Sequence, residues 1–162
     1  MGSERGCPTG RMRMSVRSAG HVLVAERTAR NIVLRQGAAV IAALFTGTAG
    51  AAPVNTIQVG FAKEAATPEL AALTPPADAS IPPAALRSLV AATDFTIVSD
   101  QPGSVNVLVT SVFKPTVELA DVTEAGLLAG EKLYNQVVFE PVTLRPGQDV
   151  TFFWEIDFPF GR

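Results

Sequence analysis

The C-terminal stretch carries the clearest hydrophobic pattern of the chain. From residue 147 to residue 160, large apolar residues take every second position, with mostly polar residues between them. Because successive side chains of a β-strand point to opposite faces, this spacing places the large apolar groups on one face. The pattern predicts a heavy strand that closes a β-rich core. Its apolar positions are Val150, Phe152, Trp154, Ile156 and Phe158, and its polar side holds Thr151, Glu155 and Asp157, with Phe153 as the one interruption.

Shorter apolar runs predict four more strands, at residues 54–61, 88–99, 105–113 and 133–141. The turn chemistry of residues 100–103, where proline fixes φ and glycine accepts a positive φ, predicts an antiparallel hairpin of 93–99 with 105–113. Strand 105–113 is apolar on both faces, so we expect it in the middle of a sandwich or beneath a helix. The fold class that follows is mainly β: an antiparallel β-sandwich with one packed N-terminal α-helix.

Residues 27–53 admit two interpretations. One is a secretory signal, in which arginines precede a short apolar run at 38–45 and Ala49-Gly50-Ala51 offers a cleavage site near residue 51. The apolar run is too short to span a bilayer as a helix.

The other interpretation is an amphipathic helix of the folded domain. Apolar residues recur there at helical spacing, and Gly47 and Gly50 would end the helix. Polar residues interrupt the apolar run, and the stretch before it is long for an export signal. These two observations favour a folded helix within 27–46. The apolar helical positions are Val33, Gly37, Val40, Ile41 and Leu44.

The length of 162 residues predicts one domain, which we place at 27–162. Within it, residues 63–88 hold five prolines among many alanines, which predicts a long extended connector. A connector of this length is usually functional or an interaction surface.

Charge is distributed unevenly along the chain. Residues 1–35 contain seven arginines and two glutamates, whereas residues 36–162 contain six lysines and arginines against thirteen acidic residues. A basic segment could bind nucleic acid or anionic lipid through phosphate attraction. Here the arginines are scattered without aromatic residues between them, so residues 1–26 are expected to be a basic, disordered leader, with neither a nucleic-acid nor a membrane partner. Met12 and Met14 in this segment are possible alternative starts.

The chain offers few residues for catalysis. Cys7 and His21 are the only cysteine and histidine, and both lie in the predicted leader. This excludes cysteine–histidine and imidazole–zinc sites in the predicted domain, and no phosphate-binding glycine motif occurs. Glu155 and Asp157 share one strand face, where a carboxylate pair could work as acid and base, but the ordinary polar side of a strand is the simpler interpretation. We therefore predict no catalytic, cofactor-binding or metal-binding residues, and no cofactor.

Glu124 is the most unusual polar residue of the domain. Its segment, Glu-Ala-Gly-Leu-Leu at 124–128, is interpreted as a turn that precedes the fourth strand. A glutamate there would approach the core and could cap local amides or pair with Arg145. An ordinary turn glutamate without a special role is the alternative.

Two stretches of the domain resemble small bacteriophage tail-associated proteins. ARNIVLRQGAAVIAALFTG followed by VNTIQVGFAKEAATPELAALTPP is similar to their opening, and VTEAGLLAGEKLYNQVVFEPVTLRPGQDVTFFWEIDF is similar to their later half. The resemblance covers residues 27–160 and departs after Gly60, where Phe-Ala-Lys-Glu replaces a Gly/Thr-rich run. The matching positions are Gly60, Leu73, Glu124, Gly126, Leu127, Phe139, Pro141, Trp154 and Ile156.

The resemblance implies a non-enzymatic structural component of a phage or phage-derived particle, such as a tail-fibre or collar protein. Such a protein would reside in the virion and act by self-association, as a homo-oligomer, and by docking to neighbouring tail subunits. The alternative is an exported bacterial β-sandwich, a surface or adhesion protein in the periplasm or outside the cell, with its signal removed near residue 51.

Overall fold

Alternating apolar and polar residues form most of the strands. The computed structural model describes residues 9–64 and 67–161, and within them the chain forms eleven strands and one α-helix. In chain order these elements are β1 (Thr9–Arg17), β2 (Leu23–Arg30), β3 (Ile32–Val33), α1 (Arg35–Thr46), β4 (Thr56–Gly60), β5 (Arg87–Leu89), β6 (Phe95–Val98), β7 (Ser104–Phe113), β8 (Leu119–Ala129), β9 (Lys132–Leu133), β10 (Asn135–Leu144) and β11 (Asp149–Pro159).

The strands form two antiparallel sheets that pack face to face, as the sequence predicted. The first sheet has the order β2-β1-β11-β7-β6, and the second has the order β3-β10-β8-β4-β5, with β9 pairing with β8. The closing strand β11 lies between β1 and β7, and its alternate apolar side chains enter the core. The predicted hairpin is also confirmed, because β6 and β7 pair in antiparallel register.

The prediction of a disordered leader is wrong for residues 9–26. Thr9–Arg17 is the strand between β2 and β11, and Met12, Met14 and Val16 are at most 1% exposed in the main core. Three arginines alternate with these apolar residues, so the segment has the period of a strand with one charged face. The arginine content concealed that alternation. The remaining leader residues, 1–8 with Cys7, lie outside the described residues.

The folded helix is confirmed over a shorter range than predicted. Residues 27–30 end β2, and the helix begins only at Arg35 and stops at Gly47, whose φ is 64°. Gly37 and Val40 are the buried residues of the helix, which lies against β9, with Gly37 beside the backbone of Tyr134. Phe45, by contrast, is 92% exposed. The helix therefore packs through one narrow face and presents the rest to solvent.

Two further strand predictions need correction. The segment at 124–128, interpreted as a turn, lies inside β8, which is almost entirely buried from Val122 onwards. The strand covered on both faces is thus β8, whereas the outer face of β7 is open, with Leu108 and Val112 exposed. Residues 88–99 contain two strands of different sheets, because the chain crosses from β5 to β6 through a 3₁₀ turn at Ala92–Asp94.

The proline-rich connector lies over the outer side of the second sheet. The Leu73 side chain packs into a small second core on that side, and the backbone of Thr74 accepts a hydrogen bond from the Phe61 amide at 3.1 Å. Nearer the helix, the Arg35 amide donates to the Pro68 carbonyl at 2.9 Å. The connector is thereby fixed at both of these points. The second core consists of Leu34, Leu73, Leu128 and Leu133, with Leu70 packed against it.

Candidate functional site

Glu124 is a buried structural carboxylate. Its side chain is fully buried, and Oε1 accepts hydrogen bonds from the backbone amides of Phe61, at 3.2 Å, and Thr74, at 2.5 Å. Oε2 accepts from the side-chain amide of Gln136. Glu124 therefore does bind backbone amides, but these are not the local amides that the sequence suggested: one directly follows β4 and the other lies in the connector. The alternative of an ordinary turn glutamate is wrong.

The predicted pairing of Glu124 with Arg145 is also wrong. Arg145 lies on the surface, where its Nε donates to Glu118 at 3.1 Å. The hydrogen bonds of Glu124 join β8 to neighbouring β10, to the residue that follows β4, and to Thr74 in the connector, so the side chain holds the connector on the second sheet. Buried carboxylates need such donors, since an unsatisfied charge in the interior is costly.

Two glycines of the resemblance make this arrangement possible. Gly60 lies opposite Glu124 in the pairing of β4 with β8, and its missing side chain leaves room for the carboxylate. At Gly126, an added Cβ would lie 2.6 Å from both the Asn135 carbonyl oxygen and a methyl group of Leu133. Gly60, Glu124 and Gly126, three of the positions named in the sequence resemblance, thus meet at β8 and the strand beside it.

Glu155 and Asp157 each accept hydrogen bonds from side chains of neighbouring strands. Both lie on the outer face of the first sheet, where Glu155 accepts from Arg11 Nε at 2.7 Å and from Asn106 Nδ2 at 3.1 Å. The hydrogen bond and charge of Glu155 raise the pKa of Arg11, and Asp157 adds a smaller effect in the same direction. Asp157 itself accepts a hydrogen bond from Thr9. These contacts fit the simpler interpretation, the polar side of a strand.

A groove of about 770 Å³ crosses this same outer face. We call it the arginine groove. Its charged lining consists of Arg11 and Arg13 on β1, Arg30 on β2 and Glu155 on β11, so positive charge predominates. The rest of the lining on this face consists of Thr28, Leu108, Thr110 and the half-buried Phe153, together with the buried residues that alternate with them.

The arginine groove has an aromatic centre that local sequence did not suggest. The guanidinium carbon of Arg13 lies 4.6 Å from the ring centroid of Phe153, a cation–π contact. Strand pairing places these residues opposite each other although 140 positions separate them in the chain. Phe153, the one interruption in the polar side of β11, is therefore the residue that sequence reasoning passed over. The sequence did contain an indication of its role, because a large apolar side chain on the polar face of a strand is exposed unless something covers it.

A second exposed feature is the outer surface of α1. From Gln36 to Thr46 the helix contains no charged residue. Phe45 is 92% exposed and Leu44 is 44% exposed, and three alanines beside them are also exposed. A helix that is apolar on all sides is normally covered on all sides.

Tyr134, the one tyrosine of the chain, is only 3% exposed, so its ring is not available to a ligand at the surface. Burial raises its pKa to about 12. Phe160 is 54% exposed near the end of the chain. Among the described residues, no cluster of three or more histidine, cysteine or acidic side chains is arranged to hold a metal ion.

Comparison with known proteins gave no relative: no family model, no curated protein and no solved structure matches this chain. In the part of the chain that the structure describes, no helix is both long enough and apolar enough to cross a membrane.

Proposed function

We propose that this protein is a non-enzymatic structural subunit that associates with copies of itself and with neighbouring subunits, in a phage or phage-derived particle. The particle setting comes from the resemblance in residues 27–160. The observation that carries self-association is the uncharged, exposed surface of α1. Large apolar side chains in water favour association, because their burial removes apolar area from solvent.

The geometry of α1 fits a partner helix. Ala38, Ala42 and Phe45 follow the spacing i, i+4 and i+7, so they form one stripe on the side away from buried Gly37 and Val40. The alanines are small enough for another helix to approach closely, and Phe45 supplies a large side chain for a pocket on the partner. In a two-fold dimer, the same stripe on each copy would meet its equivalent.

The exported alternative conflicts with the packing. Cleavage near residue 51 would remove β1, β2, β3 and α1, and with them the buried side chains of Met12, Met14 and Val16. Strand β11 would lose its pairing with β1 along nine residues. We therefore favour the particle proposal, in which the N-terminal strands are retained.

The test of self-association is the molar mass of the purified full-length chain, measured by light scattering over a range of concentrations. Phe45→Lys should shift the protein towards monomer because it places a charge in the contact. The matched control is Leu89→Lys, since Leu89 is 81% exposed on β5, away from the helix. A monomeric wild type, or equal effects of both variants, would refute the α1 contact.

The test of the setting is the content of purified particles. Mass spectrometry of gradient-purified particles should detect the chain, including peptides from β1. Absence of the chain from such particles, or a mature protein that begins near residue 52, would refute the proposal.

A further inference from the structure

We infer that the arginine groove binds single-stranded nucleic acid, with phosphates on the arginines and a base on Phe153. This goes beyond the proposed self-association, which uses α1, an element that does not line the groove. The expectation of no nucleic-acid partner rested on the lack of aromatic residues among the arginines in the sequence. Strand pairing supplies that aromatic residue from the other end of the chain.

The arrangement of charge is the first argument. Arg11 and Arg30 lie directly opposite each other in the pairing of β1 with β2. Like charges in such a position are destabilising, so a bound anion between them would relieve repulsion. Arg13 and Arg30 form no ion pair with any described residue, and both are exposed. Guanidinium groups bind phosphate in a bidentate manner.

The one carboxylate in the groove does not cancel this charge. Both oxygens of Glu155 are engaged, one with Arg11 and the other with Asn106. Glu155 therefore neutralises part of the charge of Arg11 and orients that side chain. The groove retains an excess of two positive charges, in a protein whose net charge is −2. A local excess of this kind attracts an anionic chain to this face rather than elsewhere on the surface.

The position of Phe153 is the second argument. The ring is half-buried on an open sheet face, with Arg13 on one side and Thr110 opposite it on β7. One aromatic side chain among three arginines supplies a stacking surface for one base beside sites for the neighbouring phosphates, and base stacking needs no particular sequence. The groove lies on the outer surface of the first sheet, where its lining strands are β2, β1, β11 and β7.

The experiment measures fluorescence anisotropy of a labelled oligothymidylate of about 12 nucleotides, a length within the site sizes of single-strand binding folds. The full-length protein is titrated at salt concentrations from about 50 to 200 mM. Two neutralised phosphates predict a slope of log K against log salt of about −1.4, since each phosphate contributes about −0.7 on single strands. Arg30→Gln should reduce the slope by about 0.7.

Phe153→Leu separates stacking from charge. The variant should bind about five-fold to a hundred-fold more weakly, with an unchanged salt slope, because it removes a stacking partner and no charge. The matched control is Arg145→Gln, which removes an exposed arginine that does not line the groove and should leave both affinity and slope unchanged. Thermal unfolding of each variant confirms that the fold is retained.

Three outcomes would overturn the inference. The first is absence of binding at the lowest salt. The second is equal weakening by Arg145→Gln and Arg30→Gln, which would indicate diffuse attraction. The third is full affinity in Phe153→Leu together with efficient competition by heparin, which would indicate a surface that takes any polyanion.

Discussion

Gly60 and Glu124 lie directly opposite each other on β4 and β8, and the carboxylate of Glu124 fills the space that a side chain at position 60 would need. A Cβ at Gly60 would lie 2.5 Å from Oε1, 2.8 Å from Cγ and 2.9 Å from Cδ of Glu124. Glu124 cannot move away freely because its oxygens hold the amides of Phe61 and Thr74. This pair therefore links the second sheet to the proline-rich connector.

Gly60→Ala should destabilise the protein by about 1–3 kcal/mol, since it overpacks a buried site. Chemical denaturation measures this change. The matched control is Gly20→Ala, where the nearest atom to an added Cβ is Ser18 Oγ at 3.8 Å. The substitution should cost less in a Glu124→Ala background, because the clashing group is absent there. Equal costs in the two backgrounds would contradict the contact.

Glu124→Gln should destabilise the protein by about 2–3 kcal/mol. The glutamine keeps the shape of the side chain but turns an NH₂ group towards the donors that the carboxylate now satisfies. Glu118→Gln is the control, because Glu118 is an exposed glutamate whose ion pair with Arg145 contributes little. If both variants unfold at the same denaturant concentration, Glu124 does not hold the connector.

Leu73→Ala should loosen the connector. Leu73 is 7% exposed in the second core, and such truncations cost about 2–5 kcal/mol. Because few other apolar contacts hold this segment, we expect faster proteolysis within residues 67–81, detected by mass spectrometry of the fragments. Leu89→Ala, at an exposed leucine, should leave the cleavage rate unchanged. Cleavage spread evenly over the chain would point to global unfolding instead.

Tyr134 should make the protein less stable at high pH. Burial raises its pKa from 10.0 to about 12, so between these values the folded state keeps a proton that the unfolded chain has lost. Below about pH 10 the ionisation of Tyr134 does not affect the free energy of unfolding. As the pH rises from 10 towards 12, that free energy decreases by about 3 kcal/mol.

The free energy of unfolding of wild type and of Tyr134→Phe, determined by chemical denaturation at about pH 9 and pH 11, would measure this effect, because phenylalanine at position 134 cannot ionise. The variant should lose less stability between the two values. Parallel losses in both proteins would show that Tyr134 is accessible to water in the folded state.

The order of apolar and polar residues predicted a strand or a turn correctly where that order was clear within the segment itself. The apolar alternation of β11 predicted its span and its buried face, and the turn at 100–103 predicted the β6–β7 hairpin. The predictions were wrong for two strands, where charged or small residues obscured the alternation of apolar and polar positions. In β1, arginines concealed an apolar face with Met12 and Met14, and in β8 the segment at Glu124 resembled a turn because its neighbours are small.

The arginine groove could not be derived in the same way. Arg13 and Phe153 are adjacent only because β1 pairs with β11. The sequence near each residue does not indicate which distant strand it will pair with. The same holds for Gly60 and Glu124, which strand register brings together.

The sequence by itself determined the β-rich class and the closing strand, and it favoured a helix near Val40, because these depend on the spacing of neighbouring side chains. Tertiary structure alone decided that β1 belongs to the core, that one side of α1 stays open, and which distant residues meet on each sheet. The physical reason is that strand pairing and register arise from contacts between segments far apart in the chain.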